Sequence, residues 1–218
     1  MDILAQLFES VINWIYGLTG DFGIAIVIIT LAIRSCFIPL NSKQRMQMKK
    51  QQETNLEINR IKSKYGANQE KFNQELQKVY QKNGIGFGTC LLPFIQLPIM
   101  YGLYKAIQMI SLANTTTILL PWVSSIVAKD QLLILPIATI LVQLLPQTYP
   151  YLRFFKSLNL QKVPLSNILI LLLTNSFFAF SIPSGLGLYY FISGLFVASE
   201  QFIVNLMETH NVKKASIA

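Results

Sequence analysis

Arg34 is the residue whose chemistry most needs an explanation. It interrupts an otherwise apolar run within residues 22–41, and an arginine deep in a membrane helix costs about 2.5–3.5 kcal/mol on insertion scales. Charges placed there face a wet cavity or a partner, or reach the surface along their own aliphatic stem. Arg34 lies seven residues before Asn41, roughly 10 Å from the end of the run at 1.5 Å per residue. Snorkelling is therefore open to it, and position alone leaves a structural snorkel and a functional groove evenly matched. Depth matching shifts that balance. By the same rise Gln96 falls about 7–8 Å inside the start of a second apolar run, and Glu200 about 9 Å from the end of a later one. A charge and two polar groups from three helices thus share one level, which favours a hydrated pocket.

Other chemistry is poorly supplied. No nucleophile–base pair and no metal-ligand cluster is visible, so neither an enzyme nor a cofactor is expected. Cys36 and Cys90 are the only cysteines and His210 the only histidine; two cysteines near span ends read as small buried hydrophobes in a reducing compartment. Glycines 84, 86 and 88 superficially suggest a phosphate loop. No strand precedes them and no Lys-Ser/Thr follows, so they read as a flexible entry into the next span. Asn175 and Ser193 are polar residues on spans that could hydrogen-bond between helices.

These residues need a membrane scaffold. Only 13% of the 218 residues are charged and 52% are hydrophobic, where soluble domains carry about a quarter charged residues. Apolar runs of roughly 18 residues or more can cross a ~30 Å hydrocarbon core. The expected fold is all-α: a polytopic membrane protein with five transmembrane helices, a cytoplasmic helical hairpin and an N-terminal outer interfacial helix. The expected boundaries are an outer amphipathic segment at 1–21 and span 1 at 22–41. The hairpin and its Gly-rich linker follow at 42–90, then span 2 at 91–110 and an outer connection at 111–131. Span 3 occupies 132–149, a cytoplasmic loop 150–163, span 4 164–183, span 5 184–206 and a cytoplasmic tail 207–218. In the first segment Trp14 and Tyr16 suit the headgroup level, and Gly17, Gly20 and Gly23 argue for a break before span 1. In the hairpin, Gly66 would end the first arm and Asn68 cap the second.

Charge sets the orientation. Segment 1–21 has no lysine or arginine, whereas the connection after span 1 carries ten. Fifteen basic residues fall on the hairpin side against Lys129 alone in the outer connection, so the N-terminus is expected outside and the C-terminus in the cytoplasm. The start lacks a basic n-region and a small-residue cleavage pattern, and a retained N-terminus is expected.

The run Gly23-Ile-Ala-Ile-Val-Ile-Ile-Thr-Leu-Ala-Ile-Arg34, followed by Ile38-Pro39-Leu40 and Lys43-Gln44, resembles the first span of the YidC/Oxa membrane protein insertase family. Cys90-Leu-Leu-Pro-Phe-Ile-Gln96-Leu-Pro98-Ile99 is similar to that family's second span, and Pro183-Ser-Gly185-Leu-Gly187-Leu188-Tyr189-Tyr190 to the entry of its last. The resemblance covers nearly all of residues 20–205 and is that of a short Gram-positive-type member. It implies an insertase and membrane chaperone of the bacterial cell membrane. A hydrophilic inner-leaflet groove would open to cytoplasm and lipid, with Arg34 and Gln96 lining it and Glu200, Tyr190 and Asn175 completing it. The hairpin, with Lys43, Arg45, Lys49, Lys50, Arg60, Lys62 and Lys64, would first capture nascent membrane proteins. The ribosome and the secretion translocon stand as candidate partners, and no specific nucleic-acid site is expected. The chain departs from the pattern in having Tyr190 for tryptophan, Leu92-Pro93 for a proline one residue earlier, and Glu200 for a neutral glutamine. The class rivals are a small transporter or channel using Arg34 as an anion site, and a structural assembly factor with Arg34 salt-bridged to Glu200.

Overall fold

A computed structural model describes residues 2–65, 68–83, 91–109, 116–158, 168–169, 172–173, 176 and 180–215. The described residues are helical or irregular, with no strand among them. Among the described residues six helices have defined bounds: α1 (Asp2–Thr19), α2 (Phe22–Tyr65), α3 (Gln69–Asn83), α4 (Leu91–Met109), α5 (Ile134–Thr148) and α6 (Ser184–Ala215). Two 3-10 segments, Tyr149–Tyr151 and Arg153–Leu158, follow α5. The chain forms two compact units, one of Met1–Ser35 with Ile99–Ala218 and the other of Cys36–Pro98.

Two helices among the described residues are long and apolar enough to cross a bilayer, Phe22–Gln47 and Ser184–Val212. They coincide with the first and the last of the five expected spans. Helix α4 lies where span 2 is expected, but Gln96, Lys105 and Gln108 dilute it. Helix α5 has only 15 residues, and most of 164–183, including Asn175, lies outside the described residues.

The first unit is built around one end of its helices. Ala5, Phe8, Ile12 and Ile15 recur at helical spacing on α1 and are buried, while Ile3, Leu7, Trp14 and Leu18 are exposed. Leu4 and Phe8 sit on Gly102 of α4, where a Cβ would come within 3.0 Å of both. Trp14 is exposed as a headgroup residue would be, but Tyr16 turns inward and stacks on Phe22 at 3.9 Å. Helix α1 ends at the expected break, where Gly20 takes φ +71°. Ile26, Leu103, Ile107, Ile126 and Tyr189 complete a core drawn from α2, α4, the outer connection and α6. Along α5 and α6, Gly187 meets Leu135 and Gly194 meets Val142, the close approach that small residues permit between membrane helices. At the other end Tyr149 donates to the Ala198 carbonyl at 2.8 Å, and the rings of Tyr149, Phe155 and Phe202 pack edge to edge.

The connection between α4 and α5 is stitched onto three helix N-termini, whose first amides need partners. Asp21 accepts from Ile24 N–H at 2.9 Å, from the Thr117 hydroxyl at 2.7 Å and from Ile118 N–H at 2.7 Å. Asp130 accepts from Leu132 and Leu135 N–H and so caps α5. The amides of Ser184 and Gly185, at the start of α6, donate to the carbonyls of Ala128 and Ile126.

The second unit contains the later part of α2, then α3 and the start of α4. Asn68 caps α3 as expected, its Oδ1 accepting from Lys71 N–H at 3.2 Å. Gly66 lies outside the described residues. The α2 helix continues from span 1 to Tyr65 without a break at residue 42.

Burial works against the charge of Asp21, but its hydrogen bonds outweigh it and hold the carboxyl below the ordinary value of 3.8. The clasp's contribution to stability is therefore complete above that value and is lost as pH falls through the lower folded-state value. Asp21→Asn should lower stability at pH 7 by about 1.5–3 kcal/mol, the scale of hydrogen bonds to a charged group. Thermal unfolding in detergent across pH should show the gap between parent and variant narrowing below about pH 4; a gap independent of pH would contradict the clasp.

Candidate functional site

Arg34 stands where the packing of the first unit gives out. On α2 the fully buried positions of that unit run through Phe22, Ala25, Ile26 and Ile29 to Thr30, and from Leu31 to Ser35 every residue is half-buried or exposed. The arginine is thus anchored one turn beyond a solid core. Its Nε is buried without a protein partner, and its charge acts on the hydroxyl of Tyr190 on α6. Tyr190 is half-buried, packs edge-on against Tyr189 at 5.7 Å, and directs its hydroxyl to the sulfur of Met100. Met100 is a neighbour that sequence reasoning missed. A methionine in an apolar run carries no signal of its own.

The structure brings Arg34 and Tyr190 together but not every expected member. Glu200 is half-buried on the same helix as Tyr190, and among the described residues no ion pair joins it to Arg34. Gln96 is half-buried on α4 and belongs to the second unit, whereas Arg34 belongs to the first. Asn175 lies outside the described residues. Of the capture set, Lys43, Lys50, Arg60, Lys62 and Lys64 are exposed and Arg45 is half-buried, while the Lys49 side chain is not described. Lys64 lies over the Tyr65 ring at 5.3 Å.

Two further features bear on what the site can do. The apolar face of α5 opposite its contact with α6 exposes Ile134, Ile137, Leu141 and Leu145, a continuous stripe at helical spacing. Between α2, α5, α6 and the outer connection lies a hollow of about 380 Å³, lined by apolar side chains that include Val27, Trp122, Ala138 and Phe191. Its size is that of a small-molecule pocket, but it lacks the few polar side chains that orient such a ligand. Among the described residues no group of three His, Cys, Asp or Glu could hold a metal ion.

A helical scaffold with apolar outer faces and an arginine inside its first long apolar helix defines a membrane-embedded protein. A family model described as 60Kd inner membrane protein matches residues 14–211, and the chain belongs to that YidC/Oxa family. A membrane protein insertase YidC of Anaeromyxobacter sp. (strain Fw109-5) is 30% identical over 208 residues, 93% of this chain and 36% of the relative. Its counterpart in Wolinella succinogenes is 30% identical over 209 residues, 95% of this chain and 37% of the relative. One from Caldanaerobacter subterraneus subsp. tengcongensis is 27% identical over 217 residues, 99% of this chain and 100% of the relative. The chain therefore spans little more than a third of the first two and the whole of the third.

A guanidinium with a buried, unpartnered nitrogen adds little to stability, because an unmade hydrogen bond costs about 1–3 kcal/mol. Arg34→Met should unfold in detergent at the same temperature as the parent or higher. A fall of several degrees would mean that Arg34 holds the fold together.

Proposed function

We propose that the protein is an insertase and chaperone for nascent membrane proteins, working through a hydrophilic groove around Arg34 that opens to the cytoplasm and to lipid. The carrying observation is Arg34 itself: half-buried one turn beyond the core, without an ion pair among the described residues, in a chain of this family. A structural arginine would be expected to hold a carboxylate.

In this reading five spans cross the membrane, with the N-terminus outside and the basic connections inside. The helices of 42–83 form the capture hairpin, whose lysines and arginines meet the substrate first. Arg34 and Tyr190 line the groove; Gln96 joins them by depth and resemblance, Glu200 by depth, and Asn175 is a further candidate. A short polar or acidic stretch enters, and the arginine attracts it. The groove shortens the dry path that the stretch must cross, which lowers a barrier set by the cost of charge in hydrocarbon. The hydrophobic helix of the substrate meanwhile moves into lipid along the exposed faces of α5 and α6, which present Ile137, Leu141, Leu145, Phe202 and Ile203. No covalent step is required. The ribosome and the secretion translocon are proposed partners upstream of the hairpin.

The test is insertion of a single-span substrate with a short acidic outer tail into proteoliposomes. The parent should insert it well above empty liposomes. Arg34→Ala should reduce insertion about tenfold or more, the equivalent of one charge-assisted hydrogen bond, and Arg34→Lys should retain part of it. Insertion equal to that of empty liposomes would overturn the function. Full insertion by Arg34→Ala would remove the groove charge from the mechanism.

A further inference from the structure

Buried hydroxyls inside the helices of this protein follow a rule, and Ser193 breaks it. Thr30, Thr139 and Thr209 are each buried in a helix interior, and each donates to the carbonyl four residues earlier, at 2.6, 2.7 and 2.8 Å. That is the ordinary resting place of a helical hydroxyl. Ser193 is 2% exposed, yet its Oγ has no protein partner. The hydrogen-bond glue that its position on a span suggests is therefore not made. A buried hydroxyl left unpaired costs about 1–3 kcal/mol, and groups of this kind call for a reason.

Its position supplies one. Ser193 follows Tyr190 by three residues on α6, so the two share a helix face. Tyr190 is the residue on which the charge of Arg34 acts. Counting from Phe22 and from Ser184, Ser193 lies about 13 Å and Arg34 about 18 Å along helices that begin at the same stitched end. The hydroxyl thus belongs between the stitched end and the depth of Arg34, whose Nε is, like Ser193 Oγ, one of the few buried polar atoms without a hydrogen-bond partner among the described residues.

We propose that Ser193 is a substrate-contacting residue, whose spare hydroxyl meets the main-chain or neutral polar side-chain groups of a segment drawn into the groove. The inference rests on the insertase reading. Arg34 selects for charge; Ser193, able both to donate and to accept, serves uncharged polar groups that an arginine can only donate to. It gives the groove a contact for polar tails that carry no acid.

The experiment compares two single-span substrates in proteoliposomes, one with a short uncharged polar outer tail of serine and asparagine and one with an apolar tail of equal length. Ser193→Ala should slow insertion of the polar-tailed substrate about three- to tenfold, the equivalent of one net hydrogen bond, and leave the apolar-tailed one unchanged. Its melting temperature in detergent should equal or exceed that of the parent. Thr139→Ala, which removes a hydroxyl already bonded within its own helix, should leave the ratio of the two substrates unchanged. An unchanged ratio in Ser193→Ala, or equal slowing of both substrates with a lower melting temperature, would overturn the inference while leaving the insertase intact. If the parent itself inserts neither substrate above empty liposomes, the insertase reading fails and this one with it.

Discussion

Three helices of the first unit begin at one end, and each begins with amide groups that its own helix cannot satisfy. In or near hydrocarbon there is little water to take them. Asp21, just before α2, caps that helix and is gripped by Thr117 and Ile118; the connection between α4 and α5 itself supplies Asp130 for α5 and the carbonyls of residues 126 and 128 for α6. Because the same short stretch serves all three, the helix starts are fixed relative to one another. The core of Ile26, Ile107, Ile126 and Tyr189 then packs directly beneath.

This arrangement explains why burial declines along α2 beyond Thr30. Beyond Thr30 no stitching remains in that unit, and side chains from Leu31 onward are only partly covered. Arg34 sits on that gradient. One turn earlier it would be buried in a core without a partner, at a cost of several kcal/mol. At its actual depth it is half-buried, one turn beyond a rigid frame. Tyr190 is set opposite by the same stitched end, since α6 begins on the outer connection.

How much of this was legible in the sequence depended on range. Local chemistry read well: Gly20 breaks α1 from α2, Asn68 caps α3, and Arg34 stands out because its cost is fixed by its immediate neighbours. Contacts across the chain did not. Asp21 reads as one more outer acidic residue until its bond to Thr117, 96 residues away, and Tyr16 reads as interfacial until Phe22 covers it. The start of α5 was not legible either, because a run of apolar residues says nothing about where a cap will start the helix. Asp130 starts α5 at Ile134 rather than at 132, with Leu133 in a left-handed conformation between them. Ser193 was misread for the opposite reason: its residue type promised a hydrogen bond that the packing does not make.

The late start of α5 has a consequence for the lipid around it. Fifteen residues rise about 22 Å, against a hydrocarbon thickness of ~30 Å. In the proposed five-span arrangement the exposed apolar stripe of that helix meets lipid. Such a hydrophobic mismatch is relieved by drawing the leaflets together locally, at fractions of a kcal/mol per ångström. In that arrangement a bilayer pinched beside α5 would present less hydrocarbon to anything crossing there, so the solvent itself would be thinner along the face that α5 exposes to it.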